Sequence, residues 1–183
     1  MANFFTRSQV RGFTQNLSLQ ERTNIRKRAE ERSPSGTTFL SHSSKDQDIL
    51  PGVIQILENH GATVYIDKKD PHLPPYTSKD TAATLKNRIR QSKKFMLLAT
   101  ENSKDSRWVP WELGVADGYK SFDHIAIFPV LEDTMRDSWT NWEYLGLYDR
   151  VAWRKFQGKE KEEWMVWDRR ENTASALAQW LAR

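Results

Sequence analysis

The chain has no cysteine among its 183 residues, so no disulfide holds the fold together and no thiolate can ligate a metal. It also lacks a Gly-x-Gly-x-x-Gly motif and a Gly-Lys-Ser/Thr loop, which removes the Rossmann and Walker modes of nucleotide binding. Its N-terminus has no long apolar run, because Arg7 and Arg11 interrupt it early, so neither a signal peptide nor a membrane helix is expected. A soluble, cytoplasmic protein follows as the expectation. The four histidines, at 42, 60, 72 and 124, show no helical metal-ligand spacing, and no metal site is readable. No internal repeat is present.

Hydrophobic residues make up 38% of the chain and charged residues 28%, enough to bury one core while the remainder stays solvated. The net charge of +4 is local: residues 1–36 carry seven of the 28 basic side chains and three of the 24 acidic ones, and the rest is balanced. A basic arm can serve nucleic acid or anionic lipid. Here Glu21, Glu30 and Glu31 interleave with Arg22, Arg26, Lys27, Arg28 and Arg32, the pattern of a solvated helix, so nucleic-acid and membrane partners are not expected.

Ser18 and Glu21 have capping-box spacing and predict a helix over 18–32, with Leu19, Ile25 and Ala29 as a thin apolar stripe for docking on the main domain or a partner. Ser33-Pro34-Ser35-Gly36 reads as a linker, dividing the chain into a basic helical N-terminal extension (1–36) and a folded domain (37–183). Within the domain, strand-like and helix-like segments alternate. Strands are expected at 37–41, 62–66, 95–99, 125–130 and 148–153. Between them, Ile49 to Leu57 predict a helix capped by Asp46 or Asp48 and ended at Gly61, and Ala82, Leu85 and Ile89 mark a second. Pro110 suits the first position of a third, running on through Trp111 to Tyr119, with 102–109 as the loop before it. Ala174, Leu177 and Leu181 mark a C-terminal helix, and 67–79 is a long loop with three prolines.

Phe95-Met96-Leu97-Leu98-Ala99 is apolar throughout, as in a strand covered on both faces at the centre of a parallel sheet. The fold class is therefore α/β: a flavodoxin-like, doubly wound, five-stranded parallel sheet in the order 2-1-3-4-5. In such sheets ligands bind beyond the carboxyl ends of strands one and three, which brings Ser41-His42-Ser43-Ser44-Lys45-Asp46 together with the segment 102–112.

Ser43, Ser44 and Lys45 open onto a helix N-terminus able to hold a pyrophosphate; the other reading is that Ser44 or Asp46 serves only as its cap. His42 lies too close to Ser41, Ser43 and Asp46 along one loop to form a nucleophilic triad with them. Glu112 falls in the first turn of its helix at the mouth of the crevice, with Trp108 and Trp111 beside it. Two readings stand there: a carboxylate with a chemical task, or an acid favoured by the helix dipole while the tryptophans cover the sheet edge.

Phe39-Leu40-Ser41-His42-Ser43-Ser44-Lys45-Asp46, Val64-Tyr65-Ile66-Asp67 and Trp108-x-x-x-Glu112, in this order and spacing, resemble the three signature regions of TIR domains over residues 37–153. The resemblance is to bacterial members, and among them to stand-alone TIR proteins of Thoeris-type anti-phage defence. It implies the flavodoxin-like fold and cleavage of NAD⁺ as substrate, with no further cofactor. It makes Glu112 the catalytic residue, with His42, Ser43, Ser44, Asp67, Tyr76, Trp108 and Trp111 binding NAD⁺ and the 67–79 loop covering the pocket. It further implies a signal nucleotide sensed by a separate effector, and TIR–TIR self-association. The alternative from another class is a non-catalytic adaptor working through TIR–TIR contacts; a third is a nucleoside deoxyribosyltransferase-like enzyme.

Overall fold

The computed structural model describes residues 4–67, 79–133, 143–168 and 170–183. The chain runs β1 (Phe5–Thr6), α1 (Arg7–Gln15), α2 (Leu19–Glu31), β2 (Thr38–Ser41), α3 (Leu50–Asn59), β3 (Val64–Tyr65), α4 (Lys79–Gln91), β4 (Lys94–Ala99), α5 (Glu101–Lys104) and α6 (Trp108–Tyr119). It continues through β5 (Ile125–Leu131), β6 (Asp149–Lys155), β7 (Glu162–Asp168), β8 (Thr173–Ala176) and α7 (Leu177–Ala182).

Strands β3-β2-β4-β5-β6 lie side by side and all parallel, which is the expected 2-1-3-4-5 order. Among the described residues the sheet nevertheless has eight strands instead of five. Strands β7 and β8 continue it antiparallel beyond β6, and β1 pairs with Val130 and Leu131 at the end of β5, past the ladders of β4 and β6. The physical reason is that a parallel strand buried on both faces is apolar throughout, whereas β7 begins with two glutamates and carries mixed residues, so no single period announces it.

Alternation along the strands divides the core. Leu40, Met96, Leu98, Ala126 and Phe128 face α1, α2, α3 and α7, while Phe39, Phe95, Leu97, Ile125 and Ile127 face α4 and α6. Each strand thus feeds two helical layers, the condition for a doubly wound sheet.

Helix α2 begins as expected: Ser18 Oγ accepts from the Glu21 amide and the Glu21 carboxylate accepts from the Ser18 amide. Ile25 and Ala29 of its stripe are buried, but Leu19 is 77% exposed. Ahead of it, residues 5–15 enter the sheet and its helical layer. Phe5 stacks on Trp164 with ring centroids 4.5 Å apart, and Thr14 lies against Gly52 of α3, whose amide donates to Thr14 Oγ1 at 3.1 Å. Trp153 of β6 and Trp164 of β7 have their structural use here, as the surface that receives β1.

Four local expectations are corrected. Neither Asp46 nor Asp48 caps α3: Ile49 holds that position without a side-chain cap, and both carboxylates turn to arginines instead. Pro51 sits in the first turn, where its missing amide costs no helical hydrogen bond, and Gly61, at φ +92°, ends the helix. Helix α6 starts at Trp108, two residues before Pro110, because Ser106 Oγ accepts from the amides of Trp108 and Val109 and Pro110 has no amide to satisfy. Within the predicted 102–109 loop, Thr100 and Ser103 form a reciprocal cap that creates α5. Ala174 belongs to β8, so the last helix is only Leu177–Ala182.

Candidate active site

Glu112 lies in the second turn of α6 and is 1% exposed. With the helix starting at Trp108, the carboxylate is not in the first turn, which weakens the dipole reading. Ser41, the last residue of β2, donates a hydrogen bond from its hydroxyl to Glu112 Oε2. A buried glutamate is unusual without partners, and here the end of the neighbouring strand supplies a donor that fixes the carboxylate. Because β2 and β4 pair in parallel up to Ser41↔Leu97, the hydroxyl and the helix after β4 meet at the carboxyl end of the sheet, the predicted crevice.

Trp108 and Trp111 stand beside the carboxylate on the same helix, half-buried, with ring centroids 5.3 Å apart in an edge-to-face pair at 86°. Trp108 is four residues before Glu112 and therefore shares its face. Lys86 Nζ from α4 lies 5.9 Å from the Trp111 ring centre. The arrangement is an oriented acid with two aromatic rings at right angles on the same helix, able to offer a ring face to a planar ligand and the carboxylate to a developing positive charge.

The loop after β2 is also ordered by its own side chains. His42 is buried, and its Nδ1 faces the Leu40 carbonyl at 3.2 Å, so that nitrogen carries the proton. Ser43 is buried, and its Oγ accepts from the Lys45 amide at 3.3 Å. Ser44 is exposed. Asp67 follows β3 at the same end of the sheet, where it accepts from Tyr65 Oη at 3.1 Å and pairs closely with Arg88 of α4. Burial, and then the Asp67 charge, push the Tyr65 hydroxyl well above its ordinary pKa, so it donates throughout the working range. Tyr76 lies outside the described residues.

Two features escaped the sequence reading. Ser41 was part of the loop motif but not of the expected site, although its position as the last strand residue beside an acid-bearing helix was the available signal. Asp46, expected as a cap, is instead fully buried and accepts from Arg7 Nη1 at 3.1 Å, Thr100 Oγ1 at 2.8 Å and Asn102 Nδ2 at 2.6 Å. It joins the loops after β2 and β4. No local signal pointed to Arg7, which is 39 residues away.

Two open clefts, of about 560 and 420 Å³, lie away from Glu112, one along α2 at Arg22, Arg26 and Gln47, the other beside β1 at Phe4, Leu131 and Trp153. Neither is lined by Glu112, and neither is at the switch point of the sheet. Among the described residues, no three His, Asp or Glu side chains stand together as a metal site, and no helix is long and apolar enough to cross a membrane.

A parallel sheet in this order, with an acid-bearing helix after its central strand, defines the class. The chain belongs to the TIR domain family, whose model matches residues 38–167. It is 40% identical over 131 residues to the Bacillus cereus (strain MSX-D12) protein named "Probable 3' cyclic ADP-D-ribose synthase ThsB'", an alignment covering 70% of this chain and 66% of that protein. It is 35% identical over 78 residues to the Cytobacillus dafuensis protein named "Putative cyclic ADP-D-ribose synthase TIR2", covering 41% of this chain and 21% of that one. The chain thus spans less than two thirds of the length of either relative.

Proposed function

We propose that this TIR domain cleaves the nicotinamide–ribose bond of NAD⁺ and closes the remainder into a cyclic ADP-ribose. The observation that carries the reading is the buried Glu112 carboxylate, held by Ser41 beside Trp108 and Trp111 at the carboxyl end of the sheet. Support comes from the printed names of both relatives, which are those of cyclic ADP-ribose synthases.

The chemistry suits a single acid. Hydrolysis of an ordinary glycoside needs a second carboxyl group to protonate the leaving oxygen. In NAD⁺ the bond from the ribose carbon to the ring nitrogen breaks with its electron pair going to a cationic ring, and nicotinamide leaves neutral without a proton donor. Positive charge then gathers on the ribose carbon and ring oxygen, where a fixed carboxylate stabilises it most. Attack by water, with loss of a proton, gives ADP-ribose; attack by a group on the adenosine half of the same molecule gives a cyclic product. An aromatic wall that keeps water out and folds the two halves together favours the second outcome.

Ser43, Ser44, His42 and Asp67 fit this reading as the ribose- and phosphate-facing side of the crevice, and Tyr76 as the contact from the covering loop. Cytoplasmic action, a separate effector that senses the product, phage infection as trigger and TIR–TIR assembly as a gate complete it. The test is to incubate the purified chain with NAD⁺, at high concentration with a crowding agent, and weigh the co-product of nicotinamide. A mass one water below ADP-ribose supports the cyclase; ADP-ribose alone reduces the reading to a hydrolase; no nicotinamide, in buffer or in lysate of phage-infected cells, moves it to a non-catalytic adaptor.

A further inference from the structure

The N-terminal segment 5–15 lies outside the family-matched residues 38–167, yet it reaches the loops of the crevice. Its Arg7 is the first residue of α1 and is buried. The guanidinium donates from Nη1 to Asp46 at 3.1 Å, and from Nε and Nη2 to Asp48 at 3.1 and 2.6 Å, with Glu132 at 3.5 Å. Asp48 has a second cation in Arg11, at 2.7 Å. Arg7 is the cation paired with Asp46 among the described residues.

Asp46 stands at the centre of two loops. On its own loop, its amide donates to the Ser43 carbonyl at 3.1 Å, and its carbonyl accepts from Ile49 and Leu50 at 3.2 and 3.0 Å. Two residues before Ser43 the strand ends in Ser41, whose hydroxyl holds Glu112. On the other loop, the carboxylate accepts from Thr100 and Asn102, which lead through α5 to α6 and Glu112. A buried carboxylate that loses its counter-charge must take up a proton or draw in water, and either would loosen both loops at once.

We propose that Arg7 is a positioning residue for the reaction: the N-terminal strand and helix deliver a buried cation to Asp46, and this charge keeps the two crevice loops in the register that sets Ser41 against Glu112. The segment is held for this task from several sides. Phe5 stacks on Trp164, Ser8 donates to Asp133, and Thr14 touches Gly52. The proposal rests on the NAD⁺ reading for its catalytic consequence, while the coupling between the loops is independent of it.

The experiment compares wild type, Arg7→Met and the double variant Arg7→Met/Asp46→Asn, which removes the stranded charge. Nicotinamide release is measured well below each thermal midpoint, and backbone hydrogen exchange is followed in 42–49 and 100–106. Arg7→Met is expected to lower kcat about tenfold or more. Asp46→Asn in that background is expected to recover about threefold or more. Exchange should quicken in both loops, including 100–106, and slow again in the double variant. A rate within twofold of wild type for Arg7→Met, or no recovery in the double variant, overturns the proposal and leaves Arg7 as a tether of α1. If wild type releases no nicotinamide, the NAD⁺ reading fails separately and the exchange data decide: quickening at 100–106 that Asp46→Asn reverses upholds the coupling, and exchange changes confined to 5–15 overturn it.

Discussion

Replacing Ser41 with alanine removes one hydroxyl from the buried Glu112 and changes little else, since the side chain is small and fully enclosed at the end of β2. A hydrogen bond to a charged group in such a setting contributes about 1.5–3 kcal/mol. If the bond orients the carboxylate for the ribose carbon, losing it raises the barrier by that amount, a drop of about 10- to 150-fold in kcat. The folded state should lose a comparable part of its stability, reduced where water or a proton takes the place of the hydroxyl. Glu112→Gln provides the contrast, because its amide oxygen still accepts from Ser41 and its charge is gone. Stability should then stay near wild type while turnover vanishes. The assay is initial-rate nicotinamide release beside urea unfolding for wild type, Ser41→Ala and Glu112→Gln. A Ser41→Ala protein within twofold of wild-type kcat would refute the idea that this hydroxyl aligns the acid.

Gly52 admits no side chain, since a Cβ there would lie 2.6 Å from Thr14 Oγ1 and 3.0 Å from the Val10 carbonyl; Gly52→Ala should cost about 1–3 kcal/mol in urea unfolding by pushing α1 off α3. Lys94 is buried with its Nζ 4.4 Å from the Trp180 ring centre, and burial lowers its pKa from 10.5 to about 8. Between these values the unfolded chain binds the proton that the folded chain has released, so stability rises with pH across that window. The rise attributable to Lys94 amounts to about 3 kcal/mol at most and should be missing in Lys94→Met, as read from unfolding free energies of the two proteins from pH 8 to 10.5.

The central sheet was legible because its strands are short, apolar and spaced by helical periods, and the parallel order then placed the crevice without any knowledge of contacts. Trp108 and Trp111 drew attention to Glu112 as a candidate, and between a chemical role and a dipole role only the family resemblance decided. The partner of Glu112 was less legible: Ser41 reads as one more polar residue of a loop motif, and only the register of β2 against β4 shows that its hydroxyl reaches α6. Asp46 looked like a helix cap because caps are local and Asp46 is four residues before Leu50; the structure uses it over distances of 39 and 54 residues instead. The same holds for β1, which is held by the aromatic contact between Phe5 and Trp164, residues far apart along the chain. Local periodicity carries information about faces, and contacts between distant polar or aromatic side chains leave no trace in it.

The proposed reaction depends on the charge of one side chain, Glu112. Purified wild type and Glu112→Gln, shown by circular dichroism and urea unfolding to be equally folded, are given NAD⁺ under identical crowded conditions and nicotinamide is counted against time. Steady release by wild type and none above background by Glu112→Gln is the predicted result. Equal release by the two proteins would contradict the assignment of Glu112 as the catalytic carboxylate.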